Sequence, residues 1–274
     1  MTIWLLALQE LRTGLRNRWV MATTIVLGAL ALSLVLLGSA PTGTVKVDAL
    51  AVVVVSLASL TIFLVPLIAL LLSFDSIVGE HERGTLMLLL AYPVARWQVI
   101  VGKVLRQTII LAFATVIGYG AAGLALWVRE DIAFASVGAF GGMIGSSIML
   151  GAAFIAIGCL ASTLVRERAT AAGLAVGVWL FFVLVYGTAL LGVLVADQGQ
   201  RVSQTMLDIL LLLNPTDVYR LFNMTVTESV SVYSGMAGPG GTGSLTPATY
   251  LLSLSIWICI PVVLAILAFR RRAI

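Results

Sequence analysis

Charge and histidine are what this chain has least of. Only 10% of its 274 residues are charged, against the roughly 25% usual in soluble globular domains, and His81 is its single histidine. One imidazole between Glu80 and Glu82 is too few ligands for a metal centre, so His81 reads as a solvated polar residue and no metal site is expected. The two cysteines, Cys159 and Cys259, have no second thiol nearby in sequence; they and the scattered Met143 and Met149 read as packing. Gly79 and Gly84 have the spacing of a phosphate-binding loop, but Thr85 stands where the phosphate-holding lysine is needed, so no nucleotide binds there. No HExxH occurs, and no histidine is available to activate a serine, which excludes the usual intramembrane hydrolases. The chain reads as non-enzymatic.

Apolar sequence fills the space that charge leaves. Charge-free stretches run over 19–40, 49–74, 107–128, 132–165, 169–196 and 250–269. Each covers the ~20 helical residues that cross about 30 Å of hydrocarbon, where backbone groups must be satisfied within the segment. The fold class is therefore an all-α integral membrane protein with six transmembrane helices in one domain. None of the six needs a charged residue, which argues against proton- or ion-coupled carriers. With both termini placed inside, twelve of the sixteen Lys and Arg fall on the inner side and Lys46, Arg129, Arg201 and Arg220 on the outer side. That asymmetry predicts an N-in, C-in topology. The basic balance is topological, and no nucleic-acid partner is expected.

Residues 1–18 place Trp4, Leu8, Leu11 and Leu15 on one helical face, which predicts an amphipathic helix in the interface. Its arginines follow an apolar patch instead of preceding it, so a cleavable signal peptide is not expected. Gly118, Gly120 and Gly123 spell GxGxxG inside the third span, where small residues allow close helix approach. Gly141 with Gly145, and Gly173 with Gly177, predict further tight contacts, within the subunit or across a dimer.

Two connecting regions are long. The outer segment, 197–249, holds an apolar run ended by Asn214 and Pro215, then a helix that Thr216 can cap, then a glycine-rich tip. A shallow re-entrant or interfacial helical pair is expected, with Val218, Tyr219, Leu221, Phe222 and Met224 toward the membrane surface. The inner segment, 75–106, concentrates charge. Glu80 and Glu82 suit the first turn of a helix continuing through Thr85 and Leu86 to Leu90. Pro93 breaks it, and a second helix then carries Arg96, Lys103 and Arg106 into span three. A short helix with a charged start and an apolar end suits docking in a groove of another protein.

At Glu80–Lys103 the pattern E-x-E-x-G-T-L-x-L-L-L-x-x-P-x-x-R-W-x-x-x-x-G-K resembles the coupling region of ABC-2 type permeases, the membrane subunits of ABC exporters. GLRNRW (14–19), the stretch 56–80, AAGLAVGVW (171–179) and LLLLNPTDVYRL (210–221) extend the likeness over the whole chain. They resemble most the permeases serving maturation of bacterial nitrous oxide reductase in denitrification. The resemblance implies an inner-membrane homodimer, a cytosolic ABC ATPase subunit of the NosF type that binds ATP and Mg, and a periplasmic protein of the NosD type. It implies no cofactor in this chain, and an output that assembles the reductase's copper centres. It assigns ATPase coupling to Glu80, Glu82, Arg83, Gly84, Thr85, Leu86, Leu89, Pro93 and Arg96, and partner contact to Asn214, Pro215, Asp217, Tyr219 and Arg220. Alternatives are a generic exporter of a hydrophobic or sulfur-containing molecule and an ATPase-independent channel or carrier.

Overall fold

A computed structural model describes residues 18–37, 49–85, 95–129, 134–197, 202–226 and 245–271. The expected interface helix up to residue 17, Leu86, Leu89 and Pro93, and the glycine-rich tip lie outside the described residues. Among those described, all regular structure is helical. The long helices are α1 (Arg18–Leu37), α2 (Ala49–Ser73), α4 (Arg96–Arg129), α5 (Phe134–Leu164) and α10 (Pro247–Arg271). Between α2 and α4 lies the short α3 (Val78–Glu82); after α5 come α6 (Arg168–Leu180), a π-helical turn (Phe181–Val185) and α7 (Tyr186–Asp197). The outer pair is α8 (Gln204–Leu212) and α9 (Pro215–Val226).

Among the described residues, five stretches are long and apolar enough to cross a membrane: Val54–Glu82, Arg96–Ala125, Gly138–Leu164, Arg168–Asp197 and Pro247–Arg271. The first expected span is the 20-residue α1, with an apolar segment at Thr24–Ser33. Because the charge-free cores of these stretches carry apolar side chains all round, their faces meet either neighbouring helices or lipid. α5 is the hub, packed against α2, α4, α9 and α10. Small residues make this possible. A β-carbon at Gly158 would overlap Ser73 of α2, and one at Gly151 would overlap Leu111 of α4.

Of the small-residue patterns, the one in span three makes close contacts at Gly118 and Gly123 but not at Gly120. Gly118 faces the backbone of Gly28 in α1, where an added β-carbon would lie 3.0 Å from the Gly28 nitrogen. The others do not. Gly141, Gly145, Gly173 and Gly177 have open space where a β-carbon would stand, so they make no tight contact within the described chain. Cys159 packs in the core as expected, whereas Cys259 is exposed on α10.

The outer pair departs most from expectation, since it is deep, not shallow. The break at Leu213 and Asn214 lies against Phe182, the fifteenth residue of the thirty-residue Arg168–Asp197 stretch. Val218, Tyr219 and Phe222 are buried, and α9 packs on α5, α10 and α2 instead of on the membrane surface. A groove lined by the chain's own helices takes up the apolar face of α9, while the alternative is to leave its polar ends in hydrocarbon. Irregular backbone at such depth is tolerated only where protein satisfies it.

Candidate coupling site and its link to the outer helices

At the basic end of the bundle, segments from four parts of the chain meet around Asp75. Arg168, the first residue of α6, pairs with that carboxylate: Nη2 donates to Oδ2 at 2.9 Å, and Nε lies 2.7 Å from Oδ1 as an ion pair. Arg83 stands 3.8 Å from the same group. Lys103 Nζ of α4 donates to Glu80 Oε1 at 2.5 Å, and the Arg168 backbone amide donates to Glu82 Oε1 at 2.8 Å. From α5, the Ser162 hydroxyl accepts from the amides of Ile77 and Val78, both at 3.0 Å, and so caps α3 from another helix.

Exposed ion pairs contribute at most about 1 kcal/mol each. Their effect here is positional, because Asp75, Glu80 and Glu82 tie the start of α4 and the start of α6 to one small helix. Gly79 permits this, since a β-carbon there would overlap the Asp75 carboxylate. Gly79→Ala is therefore expected to push Asp75 off Arg168 and to destabilise the fold by about 1–3 kcal/mol, the usual cost of overpacking. A thermal melt in detergent checks this: Tm should fall by several degrees, and an unchanged Tm would show that the carboxylate has room to move.

The helix expected to start at Glu80 and run to Leu90 does not do so. Glu80 and Glu82 belong to α3, which ends at Glu82; Gly84 follows with φ +70°, and its amide donates to His81 O at 3.1 Å. A glycine in the left-handed region just past a helix is the common C-terminal stop, because other residues meet a steric penalty there. Thr85 Oγ1 folds back onto Glu80 O at 3.2 Å. Arg83, Gly84 and Thr85 are exposed at this turn. Arg96, in contrast, is engaged within the chain: its Nη1 donates to the carbonyls of Phe269 and Arg270, both at 3.0 Å, and caps the end of α10. Sequence reasoning missed Asp75, Ser162 and Arg168, and their signal was present as charge and hydroxyl at the same end of three different spans.

The same span that begins at Arg168 also holds the outer pair. Its π-helical turn presents the Phe182 carbonyl, which accepts from Asn214 Nδ2 at 3.0 Å and from Thr216 Oγ1 at 3.1 Å. Such wide turns free a backbone group for an outside donor. Asn214 does more than this. Its Oδ1 accepts the Thr216 amide at 3.0 Å, capping α9 ahead of Pro215, and its Nδ2 donates to Asp217 Oδ2 at 2.7 Å. Asn214, where Thr216 had been expected, is thus the cap. The end of α8 is closed in like manner: Tyr186 donates to Leu210 O at 2.7 Å and Trp257 to Leu212 O at 3.1 Å. Further in, Tyr219 meets Ser147 of α5 at 3.0 Å, and Asn223 donates to Ser146 at 3.1 Å.

Of the five residues expected to touch an outer partner, Asn214, Pro215, Asp217 and Tyr219 are buried among the chain's own helices, and Arg220 alone is exposed. Their burial has a plain cause: NPTDVYR is polar enough to read as surface, yet its polar groups are spent on capping and on Phe182. Asp217 also amends the picture of a charge-free interior. It is carried inward by α9, where Asn214 and Arg220, at 3.3 Å, partner it.

A sequence profile of the family described as "ABC-2 family transporter protein" matches residues 4–274. The chain is 43% identical over 274 residues to the "Probable ABC transporter permease protein NosY" of Pseudomonas aeruginosa, covering 99% of each chain. It is also 43% identical over 272 residues to the protein of the same name from Stutzerimonas stutzeri, covering 98% of each. With nearly the whole length matched in every comparison, and an apolar helical bundle to carry the match, the chain belongs to the ABC-2 family of transporter permeases.

Proposed function

We propose that this permease works as a transducer: a separate cytosolic ATPase of the NosF type acts on its basic end, and the motion reaches a periplasmic partner of the NosD type through the outer helices. The output is maturation of the copper centres of nitrous oxide reductase, as the motif resemblance at Glu80–Lys103 and Leu210–Leu221 implies. The topology is N-in and C-in with six spans, α1 being the first, in the bacterial inner membrane. The observation that carries the reading is that one span touches both ends. Arg168 at its start is held by Asp75 and Glu82, and Phe182, about 20 Å along at 1.5 Å per residue, is held by Asn214 and Thr216. A shift of α3 has a stiff path to the outer pair.

The exposed turn Arg83–Thr85, with Leu86, Leu89 and Pro93 beyond it, is the surface on which the ATPase acts. Arg96 holds α10 to α4 behind it. Outside, Arg220 and the exposed Met206 and Ile209 replace the buried residues as the partner surface. The span Arg168–Asp197 is the least enclosed, 6% buried against 67% for Gly138–Leu164, which supports a homodimer seam along it.

Gly84→Pro is expected to remove the turn outright, because proline fixes φ near −65° and lacks the amide that Gly84 donates to His81. The variant should insert in the membrane at wild-type level but recover less than about a tenth of the ATPase when the tagged permease is purified. The decisive experiment for the whole reading is that purification with the wild-type chain from its host. Recovery of an ABC ATPase and a periplasmic protein supports a transducer; an ATPase alone supports a generic exporter, and neither supports a carrier.

A further inference from the structure

A cavity of about 630 Å³ opens at the basic end between the last turn of α5 and the last turns of α10. Its walls include Leu160, Leu164, Leu264 and Leu267, and two cations, Arg166 and Arg271, stand in its lining. Among the described residues, no acidic side chain lines it.

Four other cations at this end are engaged within the chain. Arg83, Arg168 and Lys103 pair with carboxylates, and Arg96 donates to carbonyls. Arg166 and Arg271 are exposed and make no hydrogen bond or ion pair with any described residue. Glu167, next in sequence to Arg166, instead accepts from Thr170 at 3.5 Å. The apolar walls are open too, with Leu164 64%, Leu264 46% and Leu267 47% exposed. In a membrane-spanning bundle that exposure is exposure to acyl chains.

We propose that this cavity binds an anionic phospholipid, its phosphate between Arg166 and Arg271 and an acyl chain along the leucines. The volume lies within the roughly 300–1,000 Å³ of small-molecule sites. Guanidinium forks match phosphate oxygens in two-pronged geometry, and basic pockets between membrane helices suit acidic headgroups. A neutral lipid leaves both cations unmatched, a free phosphate leaves the leucine walls uncovered, and a second copy of the same basic surface brings like charges together. Only an anion with an apolar tail satisfies all the walls at once. The inference needs the chain to lie in a membrane and does not depend on which ATPase or outer partner it serves.

The full-length permease, purified in detergent and stripped of lipid, is titrated with dioleoyl-phosphatidylglycerol, with dioleoyl-phosphatidylcholine and with inorganic phosphate, reading Tm and bound lipid by native mass spectrometry. Phosphatidylglycerol should remain bound and raise Tm, phosphatidylcholine should do so at least tenfold more weakly, and phosphate alone should not. The double variant Arg166→Gln with Arg271→Gln should keep the lipid-free Tm and lose at least tenfold in phosphatidylglycerol affinity. Arg106→Gln, which removes an exposed cation outside the cavity, should bind as wild type. Equal binding by the double variant, equal effects of the two lipids, or displacement of lipid by millimolar phosphate would each overturn the proposal. So would protection of the cavity by a second copy, seen as loss of lipid binding on dimer crosslinking.

Discussion

Replacing Glu80 and Glu82 together by lysine should leave the permease inserted and folded while abolishing its ATP-driven output. Glu80→Lys faces Lys103 with a like charge, and Glu82→Lys removes the acceptor of the Arg168 amide. Each lost pair is partly exposed and worth at most about 1 kcal/mol, so the melt should fall by only a few degrees. The functional loss should be far larger, more than about tenfold in permease-stimulated ATP hydrolysis, because α3 no longer holds α4 and α6 in register. Glu80→Gln with Glu82→Gln, which keeps hydrogen-bond acceptors and removes only charge, should fall between. ATP hydrolysis by the reconstituted complex is the measurement, and wild-type stimulation in the lysine variant would remove the basic cluster from the coupling path.

Asn214→Ala should have the largest effect on stability. The substitution takes a bond from Phe182 O, uncaps α9 at Thr216 and strips Asp217 of its nearest donor, all in buried surroundings. A lost helix cap costs about 1 kcal/mol, and each buried polar group left unsatisfied about 1–3 kcal/mol more. A loss of about 2–4 kcal/mol is expected, read as a Tm lower by roughly 5–15 °C. Thr216→Val should cost less, because Asn214 still reaches both Phe182 O and the Thr216 amide. Should Asn214→Ala melt as wild type, the outer pair would not be held by this junction.

How far these features can be read from sequence depends on whether their cause is local. The long helices are legible because each is a charge-free run, and 49–74 or 250–269 needs no tertiary knowledge to be called a span. The family is legible for a similar reason, since Glu80–Lys103 and Leu210–Leu221 are contiguous motifs. The depth of α9 is not. Val218, Tyr219 and Phe222 form one apolar face in either environment, and the groove between α5 and α10 that receives it is assembled from residues distant in sequence. The π-helical turn at Phe181–Val185 is equally silent, because FFVLV reads as ordinary helix and widens only where Asn214 and Thr216 meet Phe182 O. In the coupling region the charges were visible but their partners were not. Asp75 lies 93 residues from Arg168, and no short pattern links them. Gly84 stops α3, a signal that the apolar run after it conceals.

The direct test of transmission is hydrogen–deuterium exchange on the permease reconstituted with its ATPase, comparing ATP-bound and nucleotide-free states. If the span beginning at Arg168 carries motion from α3 to the outer pair, peptides covering α8 and α9 should change protection on ATP binding in the wild type. In Arg168→Gln, with the ATPase still bound, that change should vanish while exchange around Arg83–Thr85 still responds. An unaltered response of α8 and α9 in Arg168→Gln would contradict the span's role as the link between the two ends.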